Sequence, residues 1–240
     1  MRPAGHKIPL AVPDDLSNLA DPGFILVAWS AGLALVSGLV ASARLVGPGF
    51  TWVAGSVAAL VGLNGAFGDE TWWVRLGLLL VALGLISARN RQLSGLFQVA
   101  AGIALAIQAI RLGGWAPALS ATVALGVVTG EMLLGHWYLI DPRLPRWALK
   151  TLAISGILGL VLDGMVLAIA GLPYGGATIA YWVLTVTSVV LMAAVFASLR
   201  YPAYAGVMAA TGLSYLAVLT SLGGVFLGRL LVAGVTPFGN

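Results

Sequence analysis

Two carboxylates in this chain sit inside long apolar runs. Glu131 and Asp163 are both placed there, whereas Asp14, Asp15, Asp21, Asp69, Glu70 and Asp141 fall in the N-terminal segment or at the ends of such runs. A carboxylate in hydrocarbon costs about 3 kcal/mol or more unless it is protonated or partnered, so each is a candidate proton relay. At a rise of ~1.5 Å per residue, Glu131 lies within roughly 4 Å of the middle of its run and Asp163 about 6 Å from the middle of its own. Asp163 continues a four-residue stripe with Ser155 and Gly159, which turns it toward a close-packed helix. The alternative for both is a hydrogen bond that only holds two helices together.

The densest polar stretch runs from Gly130 to Asp141 and contains His136, Trp137 and Tyr138. Glu131, His136 and Asp141 step by five residues, about 140° of rotation each time, so one helix cannot turn all three toward one metal ion. A quinone head group suits the stretch better: His136 offers a hydrogen-bond donor, and Trp137 and Tyr138 offer aromatic walls. His136 also has the chemistry of a single haem axial ligand. A second is missing, because His6 lies in the polar N-terminal arm and Met132 shares the helix face of His136. Gln98 falls at a depth comparable to Glu131 and is a candidate partner for it or for a quinone. Gln108 and Asn64 lie toward the outer half, where amides join helices.

Other chemistries lack their residues. The only lysines are Lys7 and Lys150, neither at mid-membrane depth, so a retinal Schiff base has no attachment point. No run carries the regularly spaced arginines of a voltage sensor. Glycine-rich phosphate loops, HExxH pairs and nucleophile elbows are missing. The chain has no cysteine, which removes disulfides, thiolate metal sites and iron–sulfur ligation. Its basic residues are scattered singly, unlike a nucleic-acid face, so no nucleic-acid partner is expected.

The elements that must position these residues follow from composition. Of 240 residues 60% are apolar and 8% charged, far from the roughly one quarter charged in soluble domains. The expected fold class is an all-α polytopic membrane bundle surrounded by lipid. Eight segments approach the ~20 residues that a bilayer core requires. They lie near 23–46, 51–68, 72–89, 93–112, 117–140, 147–171, 178–199 and 205–228, within a single bundle over 23–231. A polar arm over 1–22 precedes it, with no apolar signal-peptide core, and a short tail over 232–240 follows.

Short breaks such as Gly47-Pro48-Gly49, Gly113-Gly114 and Asp141-Pro142-Arg143 make sequential helices antiparallel neighbours. The odd-numbered connections hold Arg44, Arg89, Arg91, Arg143, Arg146, Lys150 and Arg200; the other face has Arg2, Lys7, Arg75, Arg111 and Arg229. This bias places both termini outside the cytoplasmic membrane of a prokaryote. Ser30, Ala34, Gly38 and Ser42 form a small-residue stripe, as do the pairs Gly126 with Gly130 and Gly224 with Gly228, for close helix packing. No internal repeat is evident in the sequence, although eight spans permit a four-plus-four duplication.

Three functions are compatible with these residues. The first is a membrane subunit of a respiratory-type electron-transfer complex, contributing a quinone or proton-relay site in its cytoplasmic half. Its connections are too short to house redox centres, so other protein subunits would carry them. The second is a small proton- or cation-coupled permease using Glu131 and Asp163. The third is a structural or assembly subunit with no chemistry of its own.

Overall fold

A computed structural model describes residues 17–64, 72–142 and 144–235. A 3-10 turn over Ser17–Ala20 leads into eight α-helices: α1 Pro22–Ser42, α2 Pro48–Leu63, α3 Trp72–Ile86, α4 Arg91–Gly113, α5 Trp115–Ile140, α6 Arg146–Ala170, α7 Gly176–Arg200 and α8 Tyr204–Val232. The described residues contain no strand. Helices α1 and α4 to α8 are each long and apolar enough to cross a membrane. The remaining two are shorter, 16 residues for α2 and 15 for α3, or roughly 24 and 22 Å of rise.

Local chemistry sets the helix ends. Asp21 caps α1, its Oδ1 accepting from Gly23 N at 2.8 Å, and Pro22 occupies the first helical position. Asn90 caps α4 in the same way by accepting from Leu93 N at 3.3 Å. The expected break at Gly47-Pro48-Gly49 is narrower than the sequence suggests, since Pro48 opens α2. Of the polar N-terminal segment, Leu19 is buried and packs beside Phe24 and Gly113. Asp14, Asp15, His6, Arg2 and Lys7, with Asp69, Glu70 and Arg143, lie outside the described residues.

The described helices form two rings of four. In the first, α1 packs on α2, α2 on α3, α3 on α4 and α4 back on α1. The second repeats the pattern, α5 on α6, α6 on α7, α7 on α8 and α8 on α5. An even number of helices per ring makes α1 and α5 run in the same direction, as parallel rather than inverted halves do. The rings meet chiefly where these two first helices cross. There Gly32 and Gly126 bring backbone against backbone: a Cβ on Gly32 would fall 2.7 Å from Gly126 Cα. One turn further along, Val36 fills the space above Gly130. Trp29 Nε1 also donates to Thr129 Oγ1 across the seam at 2.8 Å. The four-plus-four division that the sequence only permits is thus present in the packing.

The outer surface carries large apolar side chains, among them Leu60, Ile86, Leu158, Ile169, Ile179 and Leu219. Inside, the buried set is dominated by Ala, Val and Leu, with Ser30, Ser37, Thr51, Gln98, Glu131, Asp163 and Arg229 among its polar members. Lipid is the solvent that such a distribution fits.

Candidate functional site

The two intramembrane carboxylates face the same neighbour from different helices and find different partners. Both are enclosed, Glu131 fully and Asp163 to within 3% of its surface. Asp163 projects from α6 toward α5 and α8, where Arg229 grips it: one guanidinium nitrogen donates to Oδ2 at 2.8 Å and the other to Oδ1 at 2.5 Å. Ser120 Oγ donates to Asp163 Oδ1 at 2.6 Å, and the second arginine nitrogen also reaches Pro117 O at 3.0 Å. The fork-on-carboxylate geometry is the strong form of the contact, and it offsets the cost of burying both charges.

Arg229 corrects the sequence reading. Read as an interfacial topology signal beyond a span ending near residue 228, it is fully buried within α8, which continues to Val232. With its charge met by Asp163, the arginine does not have to surface. The signal for this was available: apolar residues flank Arg229 on both sides, and Ser221 lies on the same stripe two turns before it.

Glu131 sits on α5 roughly 16 Å along the helix axis from Ser120. Its Oε2 accepts a short hydrogen bond from Ser214 Oγ on α8, and Oε1 has no hydrogen-bond partner. Gly135, the next residue on that face, leaves room between the helices; a Cβ there would stand 3.0 Å from Thr211 Oγ1 and 3.9 Å from Glu131 Oε1. At the lateral edge of the same seam, Tyr215 OH and His136 Nδ1 lie 3.2 Å apart, with the two rings edge to face. His136 and Tyr215 are exposed on the bundle surface. Glu131, Ser214, Thr211, His136 and Tyr215 thus line one α5–α8 seam from the interior outward. The three α8 residues carried no signal in the sequence, since isolated Ser, Thr and Tyr are ordinary in membrane helices.

Of the other expected members, Trp137 and Gln98 do not join this seam. Trp137 turns toward α2, its ring edge to face with Phe50 at 6.3 Å and lying over Gly49. Tyr138 is buried in the core. Consecutive helical residues diverge by about 100°, so His136, Trp137 and Tyr138 do not wall a common cavity. Gln98 is fully buried in the first ring, wedged against Gly55 of α2 and Gly84 of α3, and both atoms of its carboxamide lack hydrogen-bond partners. It is not the partner of Glu131. Gln108 is buried with Oε1 unpaired, and Asn64 donates to Leu60 O in its own helix.

Among the described residues no three His, Asp or Glu side chains converge to hold a metal ion. The seam's groups are suited to hydrogen bonding and proton exchange: a carboxyl answered by a hydroxyl, then an imidazole paired with a phenol. Searches of known protein families, curated proteins and solved structures find no match to this chain.

Proposed function

We propose that this chain is a membrane subunit of a respiratory-type electron-transfer complex and that the α5–α8 seam is its proton path to a quinone. The observation that carries this reading is the pairing of a buried, half-satisfied Glu131 with the exposed His136–Tyr215 pair on the same seam. A quinone becomes a quinol by taking up two electrons and two protons. The electrons would come from a redox centre in a partner subunit, because the short connections here leave no room for one. His136 would donate a hydrogen bond to a quinone carbonyl at the lipid face, and Glu131 would resupply the proton through the seam.

Orientation supports the same reading. With Arg229 buried against Asp163, the outer-face tally of Lys and Arg falls from five to four (Arg2, Lys7, Arg75, Arg111) against seven at the other end. That asymmetry supports both termini outside, which in this reading puts the seam's polar end in the cytoplasmic half of a prokaryotic inner membrane. In this reading α2 and α3 also cross, as the paired short helices of the first ring.

The parallel four-helix rings favour a second reading, a small proton- or cation-coupled permease, since transporters with parallel halves carry substrate between them. Asp163 would contribute little there, its two oxygens being taken by Arg229 and Ser120.

Purification from the native membrane in mild detergent, with an absorption spectrum and a mass-spectrometric inventory, separates these readings. Stoichiometric quinone and hydrophilic redox subunits are expected, and Glu131→Gln and His136→Ala should assemble normally but lose quinone turnover. A partnerless, colourless protein that moves protons in liposomes would replace this reading with the permease. Variants that change only assembly or melting would leave a structural subunit.

A further inference from the structure

At the end of the bundle that carries most of the basic residues, α1, α5 and α6 enclose a groove of about 290 Å³. Val36, Val40, Ala43 and Leu45 form one wall, and Trp147 and Thr151 the other. The mirror position across the α1–α5 crossing, between α5 and α2, is closed by the Trp137 indole lying on Gly49 beside Phe50. On the α6 side no side chain plays that part. The groove therefore stays open, apolar along its length and facing the lipid.

Its mouth is basic. Arg44 lies between the lining residues Ala43 and Leu45, whereas Lys150 stands on the far side of α6, about 130° from the face that Ala148, Thr151 and Ser155 present to the groove. Arg44 also has the only positive φ (+56°) among the described non-glycine residues, whereas helix ends at Gly114, Gly171 and Gly234 meet the same demand with glycine. It closes α1 by donating its N–H to Ala41 O while Leu45 N reaches back to Val40 O, the hydrogen-bond pattern of a helix end whose turning residue is ordinarily glycine. Retaining a long cation in a backbone conformation that disfavours it points to a use for the side chain.

We propose that this groove is a site for an anionic phospholipid: one acyl chain lies along the α1–α6 walls, and the phosphate is held at the mouth by Arg44. An apolar slot ending in a cation fits a lipid better than a quinone, which has no charge to present, and better than a zwitterionic lipid, whose ammonium would be repelled.

The test is native mass spectrometry of the full chain in detergent, with phosphatidylglycerol and phosphatidylcholine offered in equal amounts. Phosphatidylglycerol should be retained preferentially. Arg44→Gln should reduce that preference roughly fivefold, the worth of one basic residue near an anionic headgroup, and Lys150→Gln, on the far side of α6, should leave it unchanged. Arg44→Gly removes the cation while suiting the backbone, so loss of preference in that variant cannot be laid to misfolding. Ala43→Trp fills the groove as Trp137 fills its counterpart, and should abolish retention with Arg44 in place. Equal retention of the two lipids, or an Arg44→Gly chain as selective as the parent, overturns the proposal. So does an Ala43→Trp chain with undiminished preference, which would assign the effect to surface charge alone.

Discussion

Arg229 and Asp163, on helices α8 and α6, meet through two parallel hydrogen bonds of 2.5 and 2.8 Å in the interior of the bundle, and Ser120 of α5 completes the contact. The pair ties three of the four helices of the second ring together. Removing one partner leaves an uncompensated buried charge, which costs about 3–5 kcal/mol, whereas replacing both by apolar side chains of similar size is often close to neutral. Arg229→Met and Asp163→Leu alone are therefore expected to lower the unfolding midpoint in detergent sharply, and the double variant to recover most of the loss. A double variant as unstable as either single one would mean that the pair does more than neutralise itself.

Glu131 and Asp163 should differ in chemical reactivity. Both oxygens of Asp163 are engaged, whereas Oε1 of Glu131 has no partner. A membrane-permeant carbodiimide is expected to modify Glu131 and spare Asp163, as read by peptide mass spectrometry. Equal labelling would erase the distinction drawn between the two sites.

Gly126 tolerates no side chain, because a Cβ there would overlap the backbone of Gly32. Overpacking a fitted contact costs typically about 1–3 kcal/mol, and more where backbone must move. Gly126→Leu should loosen the two rings from each other, measurable as faster proteolysis in the α4–α5 region with helix content by circular dichroism retained.

Gln98 tests whether a buried amide without partners is a burden. An unsatisfied polar group costs about 1–3 kcal/mol, so Gln98→Met, similar in volume and still able to pass between Gly55 and Gly84, is expected to raise the thermal midpoint. A lowered midpoint would show that the carboxamide is satisfied in the membrane, by an ordered water or a bound molecule.

At Arg44 stability and function should part. Glycine in place of a residue held at φ +56° relieves backbone strain worth about 1 kcal/mol. Arg44→Gly is therefore expected to melt slightly higher than the parent while binding anionic lipid less. A lower midpoint would indicate that the side chain stabilises the fold directly.

The long helices were legible because a bilayer imposes a length and an apolar composition on whatever crosses it, and Asp21-Pro22 announces its helix start in residue type alone. Glu131 and Asp163 were legible for the same reason, as charges that lipid does not tolerate at random. Arg229 was not, because position near a helix end makes a paired arginine look like an interfacial one until its partner on another helix is seen. The divergence of His136, Trp137 and Tyr138 follows from helical rotation, but which neighbour each would meet depends on ring packing that sequence order does not display. The rings escaped notice for a similar reason: they rest on which helices touch, with alanine, glycine and serine at different positions in each half.

The 66 residues separating Asp163 from Arg229 also impose an order of events on the ribosome. At about 5–20 residues per second, α6 is synthesised several seconds before the arginine that neutralises its carboxylate exists. During that interval Asp163 lacks its arginine, and insertion scales charge an unpaired aspartate at the centre of a helix about 3 kcal/mol. The α6 span is apolar enough to enter on its own, but its seating against α5 and α8 is expected to await completion of α8. A nascent chain arrested after α7 should show few crosslinks between α6 and α5 near Asp163, and one extended through Val232 should form them.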